Sequence, residues 1–206
     1  MIAISFTAAA DDADELARAE LYGLLSRLWY APPDAPLLQQ FAVAVTQAPQ
    51  SGSILEAPWQ ELVAAMRATT EQQAADEYDA LFQGVGKPDV FLYGSYYVAG
   101  FLNERPLARL RDDLAALGLG RDPAMGETED HVAYLCEVMR YLIAGDDLGV
   151  CNLEQQRRFF RAHLQPWVEQ FCNAVVQHPR ARLYAALATL TRVFVQVETQ
   201  AFDLIE

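Results

Sequence analysis

The stretch Leu183 to Leu204, LYAALATLTRVFVQVETQAFDL, decides the fold. Leu183, Leu187, Leu190, Phe194, Val197, Ala201 and Leu204 recur at alternating steps of four and three, which lays one apolar stripe along a long helix. The same period returns upstream. After Thr128, a residue type suited to an N-cap, Val132, Leu135, Cys136, Met139, Leu142 and Ile143 share a face until Gly145-Asp146-Asp147 ends the run. Leu16, Leu21, Leu24, Leu25 and Leu28 mark a helix over about 12–30, and Pro32-Pro33-Asp34 opens another over about 34–48. Further helical stretches cover about 58–82, 93–117 with a break near Pro106, 153–164 and 166–177. Asn152 with Gln155 three residues on forms a capping-box pattern, and Pro166 and Pro179 mark starts or breaks. Strand-like alternation is confined to Val90 to Tyr97. The pattern predicts an all-α, bundle-like domain of about nine or ten helices spanning 1–206, with a hinge at Gly118–Gly126 between halves of about 11–117 and 127–206.

Length and charge narrow the function. A chain of 206 residues buries a substantial core. Its net charge is −13, and Lys87 is its only lysine. Affinity for phosphate backbones comes from basic side chains that release counterions, so no nucleic-acid partner is expected. An acidic surface instead favours a basic partner. No apolar run approaches the roughly 20 residues needed to cross a bilayer. Met1 to Ala10 lacks a basic start and runs into Asp11, Asp12, Asp14 and Glu15, the wrong layout for a secretory signal, so a cytoplasmic location is expected. Cys136, Cys151 and Cys172 are widely spaced and contain no Cys-x-x-Cys pair, which argues against a disulfide framework or a thiolate zinc site.

Catalytic and cofactor motifs are missing. The residues three before His131, His163 and His178 are Thr128, Phe160 and Val175, so the Glu-x-x-His pairs of di-iron bundles do not occur. Around Gly84-Val85-Gly86-Lys87, Pro88 stands where a phosphate loop needs Ser or Thr, and Leu81 replaces the first glycine. Tyr93-Gly94-Ser95-Tyr96-Tyr97 is not a nucleophile elbow. No cofactor is expected. Two clusters remain. Glu127, Glu129 and Asp130 beside His131 either complement the dipole of the helix that follows or form a receptor for guanidinium groups. Tyr78, Phe82, Phe91, Tyr93, Tyr96 and Tyr97 put six aromatics into twenty residues, as core packing or as a groove for an apolar peptide. Residue chemistry does not choose within either pair of readings. The aromatics of Phe159 to Phe171 repeat at helical spacing and read as core.

Taken in order, these blocks resemble the TorD/DmsD/NarJ group of redox-enzyme maturation chaperones, most closely its TorD/DmsD side. Glu77-Tyr78-Asp79-x-Leu81-Phe82-x-Gly84, Pro88 and Tyr93-Gly94-Ser95-x-Tyr97 are similar to the family's acidic-aromatic stretch, loop and aromatic segment. Glu127-Thr128-Glu129-Asp130-His131 resembles its Glu-Pro-x-Asp-His motif, with Thr128 at the usual proline. Phe159, Phe160, His163, Leu164, Pro166 and Trp167 match its Phe-Phe-x-x-His-Leu-x-Pro-Trp block. Some relatives carry tryptophan where Gly86 stands.

The resemblance implies a non-enzymatic, cytoplasmic chaperone that binds the twin-arginine signal peptide or the body of a molybdopterin-dependent oxidoreductase and holds back export until the cofactor is loaded. It implies peptide contacts at Asp130, His131, Tyr78 and Leu81. Physical chemistry extends this to an expected receptor in which Asp130 with Glu127 or Glu129 takes the arginines, while Tyr78, Leu81, Phe82 and Tyr97 line an apolar groove. On that expectation Asp130→Asn weakens peptide binding without loss of fold. Alternatives are a helical adaptor for another protein, or an enzyme using Asp130 and His131 as acid and base. A monomer and a dimer swapped at Gly118–Gly126 are both compatible with the sequence.

Overall fold

The computed structural model describes residues 7–43, 53–84, 86–122 and 124–204. The described residues form ten helices: α1 (Thr7–Tyr30), α2 (Ala35–Val43), α3 (Glu56–Ala68), α4 (Glu71–Phe82), α5 (Gly94–Ala99), α6 (Arg105–Ala116), α7 (Val132–Ala144), α8 (Leu153–His163), α9 (Val168–Val176) and α10 (Leu183–Asp203). The all-α expectation holds, and none of these helices is long and apolar enough to cross a membrane. The end of the predicted 34–48 helix lies outside the described residues.

Where the boundaries differ, local chemistry explains it. The stretch 58–82 is two helices because Thr70 is extended and caps α4: its hydroxyl accepts from the Gln73 amide while the Gln73 side chain accepts from the Thr70 amide. The stretch 93–117 breaks at Gly100, whose φ of 83° ends α5, and restarts with Pro106 in the first turn of α6. α7 begins three residues later than Thr128 suggested. Its N-cap is His131, whose Nδ1 accepts from the Ala133 amide, so Glu127, Glu129 and Asp130 precede the helix instead of filling its first turn.

One apolar core runs through the molecule, and helices from both sides of Gly118–Gly126 share it. α1 packs chiefly on α7, and α10 packs on α9, α3 and α4. Trp29 of α1 sits at its centre, fully buried against Phe171 and Phe82, with its indole N–H donated to Thr191 of α10. The C-terminal stripe is followed through Leu183, Leu187, Leu190 and Phe194, but the buried face then turns to Glu198 and Phe202 while Leu204 lies exposed. A carboxylate therefore occupies a core position. Glu198 is 2% exposed and accepts from Arg18 (2.8 and 2.9 Å) and from the Tyr22 hydroxyl (3.1 Å) of α1.

Glu77 and Tyr78 of α4 hold two other helix ends. The Glu77 carboxylate accepts from the amides of Arg182, Leu183 and Tyr184, the otherwise unpaired donors that open α10. The Tyr78 hydroxyl donates to the Tyr30 carbonyl at the end of α1.

Breaking a buried pair by removing one partner strands the other charge, whereas replacing both by apolar groups does not. Glu198→Ala is expected to lower unfolding free energy by about 3 kcal/mol, and the double variant Arg18→Met with Glu198→Leu to recover most of it, as read from urea denaturation.

Candidate functional site

The strand-like segment Val90 to Tyr97 meets the acidic segment Glu127 to His131 in an isolated antiparallel bridge, Tyr93 opposite His131. The Gly94 amide donates to the Asp130 carbonyl (2.9 Å) and the Val132 amide to the Leu92 carbonyl (2.8 Å). Two backbone bonds thus join the two parts of the chain that the sequence had marked separately.

Asp130 locks this junction. It is buried, and its Oδ2 accepts from both the amide (2.9 Å) and the hydroxyl (2.5 Å) of Ser95. Its Oδ1 accepts from the Thr128 hydroxyl (2.6 Å). Thr128 thereby tethers the segment through its hydroxyl. The receptor expected at Asp130 is not open in this conformation, because both oxygens accept from internal donors.

His131 is also buried. Burial pulls its pKa down to about 4, outweighing the opposing pull of Glu127 and Asp130, so the ring is neutral near pH 7. With Nδ1 engaged by Ala133 and both Asp130 oxygens taken, the pair is not set up as an acid and base.

Around the neutral imidazole stand Tyr93 (5.2 Å between centroids), Tyr134 (5.7 Å) and Tyr30 (6.2 Å). Glu127 joins this group through Tyr93, accepting a hydrogen bond from its hydroxyl. Burial and the Glu127 carboxylate hold Tyr93 well above the usual phenol range. Glu127 and Glu129 are half-buried, unlike Asp130, and Tyr30 is exposed. Glu129 is paired with the exposed Arg111 of α6 at 2.9 Å. Burial alone would raise its pKa, but the Arg111 hydrogen bond wins and lowers it.

The expected groove is placed differently. Tyr78, Leu81 and Phe82 are buried, and Tyr78 and Phe82 pack with Trp29 and Tyr184 in the core. Leu81 ties the glycine loop, its carbonyl accepting from the Val90 amide. Tyr97 stacks on Trp167 at 5.5 Å and donates to the Phe91 carbonyl. None of the four lines an open groove in this conformation. Gly94 is needed here, because a Cβ would come within 2.8 Å of the Trp167 indole nitrogen, which itself donates to the His163 carbonyl. Gly86 has a φ of 93°, where a tryptophan would be strained.

Sequence reasoning missed Tyr30 and Tyr134 and gave Ser95 and Tyr93 no specific role. Tyr30 is the last residue of α1, and Ser95 and Tyr93 gain their roles only by facing a segment more than 30 residues away. Only the polar alternation of Val90 to Tyr97 hinted at such pairing.

Comparison with known proteins places the chain among relatives. The profile of the nitrate reductase delta subunit family matches residues 49–173, more than half of the chain. The chain is 27% identical to the chaperone protein TorD of Vibrio cholerae serotype O1 (classical Ogawa, O395), across 90% of this chain and 92% of that protein. It is 28% identical to the chaperone protein TorD of Shewanella loihica, with the same coverage of both.

An asparagine at position 130 cannot accept from Ser95 and Thr128 on both of its terminal atoms, so Asp130→Asn is expected to lose about 1–3 kcal/mol of stability, measured by urea denaturation. His131 gives a pH signature. Its folded pKa lies below the ordinary 6.5, so the stability it contributes is present above pH 6.5 and is lost as pH falls towards 4. The loss amounts to about 3 kcal/mol. His131→Asn, which keeps an N-cap acceptor, should flatten unfolding free energy against pH over that window.

Proposed function

We propose that this chain, a member of the nitrate reductase delta subunit family, is a redox-enzyme maturation chaperone that recognises the twin-arginine signal peptide of a molybdopterin-dependent oxidoreductase. It would act in the cytoplasm, holding the peptide back from export while the body of the oxidoreductase receives its cofactor. Its chaperone role is supported by the relatives' names and by the coverage of nearly the whole length of both chains.

The observation that carries the peptide reading is the half-buried Glu127 carboxylate, which accepts from the Tyr93 hydroxyl beside the imidazole that Tyr30, Tyr93 and Tyr134 surround. A guanidinium is planar and weakly hydrated, so it gains both from a carboxylate and from aromatic faces within about 6 Å. Glu129, two residues on, offers the second carboxylate. Its present partner Arg111 is exposed, so an incoming arginine can take its place with the same guanidinium-carboxylate geometry. The neutral His131 adds no repelling charge behind the site. Asp130 and His131 serve this reading by holding the two segments in register, and not by touching the arginines.

A general helical adaptor would share the fold but not the preference for guanidinium. Calorimetric titration with synthetic peptides carrying Arg-Arg before an apolar stretch, and with Lys-Lys counterparts, separates the two. Tighter binding of the Arg-Arg forms is expected, together with a tenfold to hundredfold loss in Glu127→Gln. Equal binding of both peptide forms by the wild-type chain would overturn the reading.

A further inference from the structure

Beside this site lies a cavity of about 270 Å³ between the end of α6, the Gly118–Gly126 segment and the outer face of α7. Its walls are mainly Leu114, Leu119, Met125, Tyr134, Val138 and Tyr141, and the charged residues Glu129, Glu137 and Arg121 stand among its lining. We propose that this cavity receives one large apolar side chain from the stretch that follows the arginines of the bound peptide. The proposal rests on the signal-peptide reading above and adds a second determinant to it.

Three observations support that occupant over a flexible surface hollow. First, the wall is built by a defined motif. Gly118, with a φ of 71°, ends α6 in a Schellman arrangement: the Leu119 amide donates to the Leu114 carbonyl (2.8 Å) and the Gly118 amide to the Ala115 carbonyl (3.0 Å). This motif brings its two leucines together, and both face the cavity, so the pocket is formed before any ligand arrives. Second, its size suits a single side chain, since an apolar cavity of about 150 Å³ already accommodates benzene. Third, it is continuous with the proposed guanidinium receptor. Tyr134 is a wall of both, and Glu129 belongs to both rims.

Charge complementarity fits the same ligand. Among the described residues, Glu129 and Glu137 are engaged by the exposed guanidinium groups of Arg111 and Arg140, contacts that a basic peptide flank replaces in kind. On the lining itself two carboxylates stand against one guanidinium, that of Arg121, which donates to the Glu127 carbonyl. An apolar pocket whose rim is anionic on balance accepts a side chain that is itself apolar and is carried on a cationic segment.

The test compares two synthetic peptides, Arg-Arg followed by an apolar stretch containing one phenylalanine, and the same peptide with alanine there. Each is titrated calorimetrically into the full chain, into Val138→Trp, which fills the cavity, and into Leu119→Asp, which charges its wall from the loop. The wild-type chain is expected to bind the phenylalanine peptide about tenfold or more tightly. Both variants should bring that ratio close to one while still preferring Arg-Arg to Lys-Lys. If Val138→Trp fails to fold by circular dichroism, Leu119→Asp alone decides. An unchanged phenylalanine-to-alanine ratio in the folded variants, or no such preference in the wild-type chain, overturns the cavity assignment and leaves the guanidinium reading standing. Loss of the Arg-Arg preference in the wild-type chain would overturn both.

Discussion

The bridge between Tyr93 and His131, locked by the Asp130 carboxylate on Ser95, is the constraint on which the rest of the site depends. Its two backbone bonds would be weak alone, as an isolated pairing without a sheet. Burial of Asp130 changes that, because a desolvated carboxylate must keep its donors, and here these are one backbone amide and two hydroxyls. The junction fixes α5 relative to the start of α7. It also sets Tyr93 beside Glu127 and leaves room for Gly94 alone against Trp167.

The acidic residues divide into structural and available groups on the same physical ground. Glu77 satisfies the opening amides of α10, Glu198 neutralises Arg18 within the core, and Asp130 holds the junction. Each accepts at least two hydrogen bonds from distant parts of the chain. Glu127, Glu129 and Glu137 are different: they are half-buried and line the ring of tyrosines and the cavity beside it. What separates the two groups is the kind of donor: backbone amides, hydroxyls and a largely buried guanidinium for Glu77, Asp130 and Glu198, but the exposed guanidinium groups of Arg111 and Arg140 for Glu129 and Glu137.

Much of this was legible before the structure. The helical period located α1, α7 and α10, and the buried faces of α7 at Val132, Leu135, Cys136, Met139 and Leu142 are those the period selects. Pro106 and Asn152 marked real starts, the latter accepting from the Gln155 amide. The aromatic block of Phe159 to Phe171 is core, as its spacing required. Thr128 misled as an N-cap because its hydroxyl finds Asp130 at two residues' distance before any helix forms. Glu198 was passed over because a lone acid looks like a solvated position until Arg18, 180 residues away, is seen to face it.

The sequence by itself determined the helices, the apolar faces and the set of polar residues from which a site would be made. These depend on periodicity and local hydrogen bonding, which span a few residues. The tertiary structure alone decided which of those polar residues are available. Burial and pairing depend on partners distant in the chain: Ser95 consumes Asp130, Trp29 and Tyr184 take Tyr78 and Phe82 into the core, and Glu127 finds the Tyr93 hydroxyl 34 residues away. Whether a carboxylate serves stability or recognition follows from that long-range accounting of donors, which no local pattern encodes.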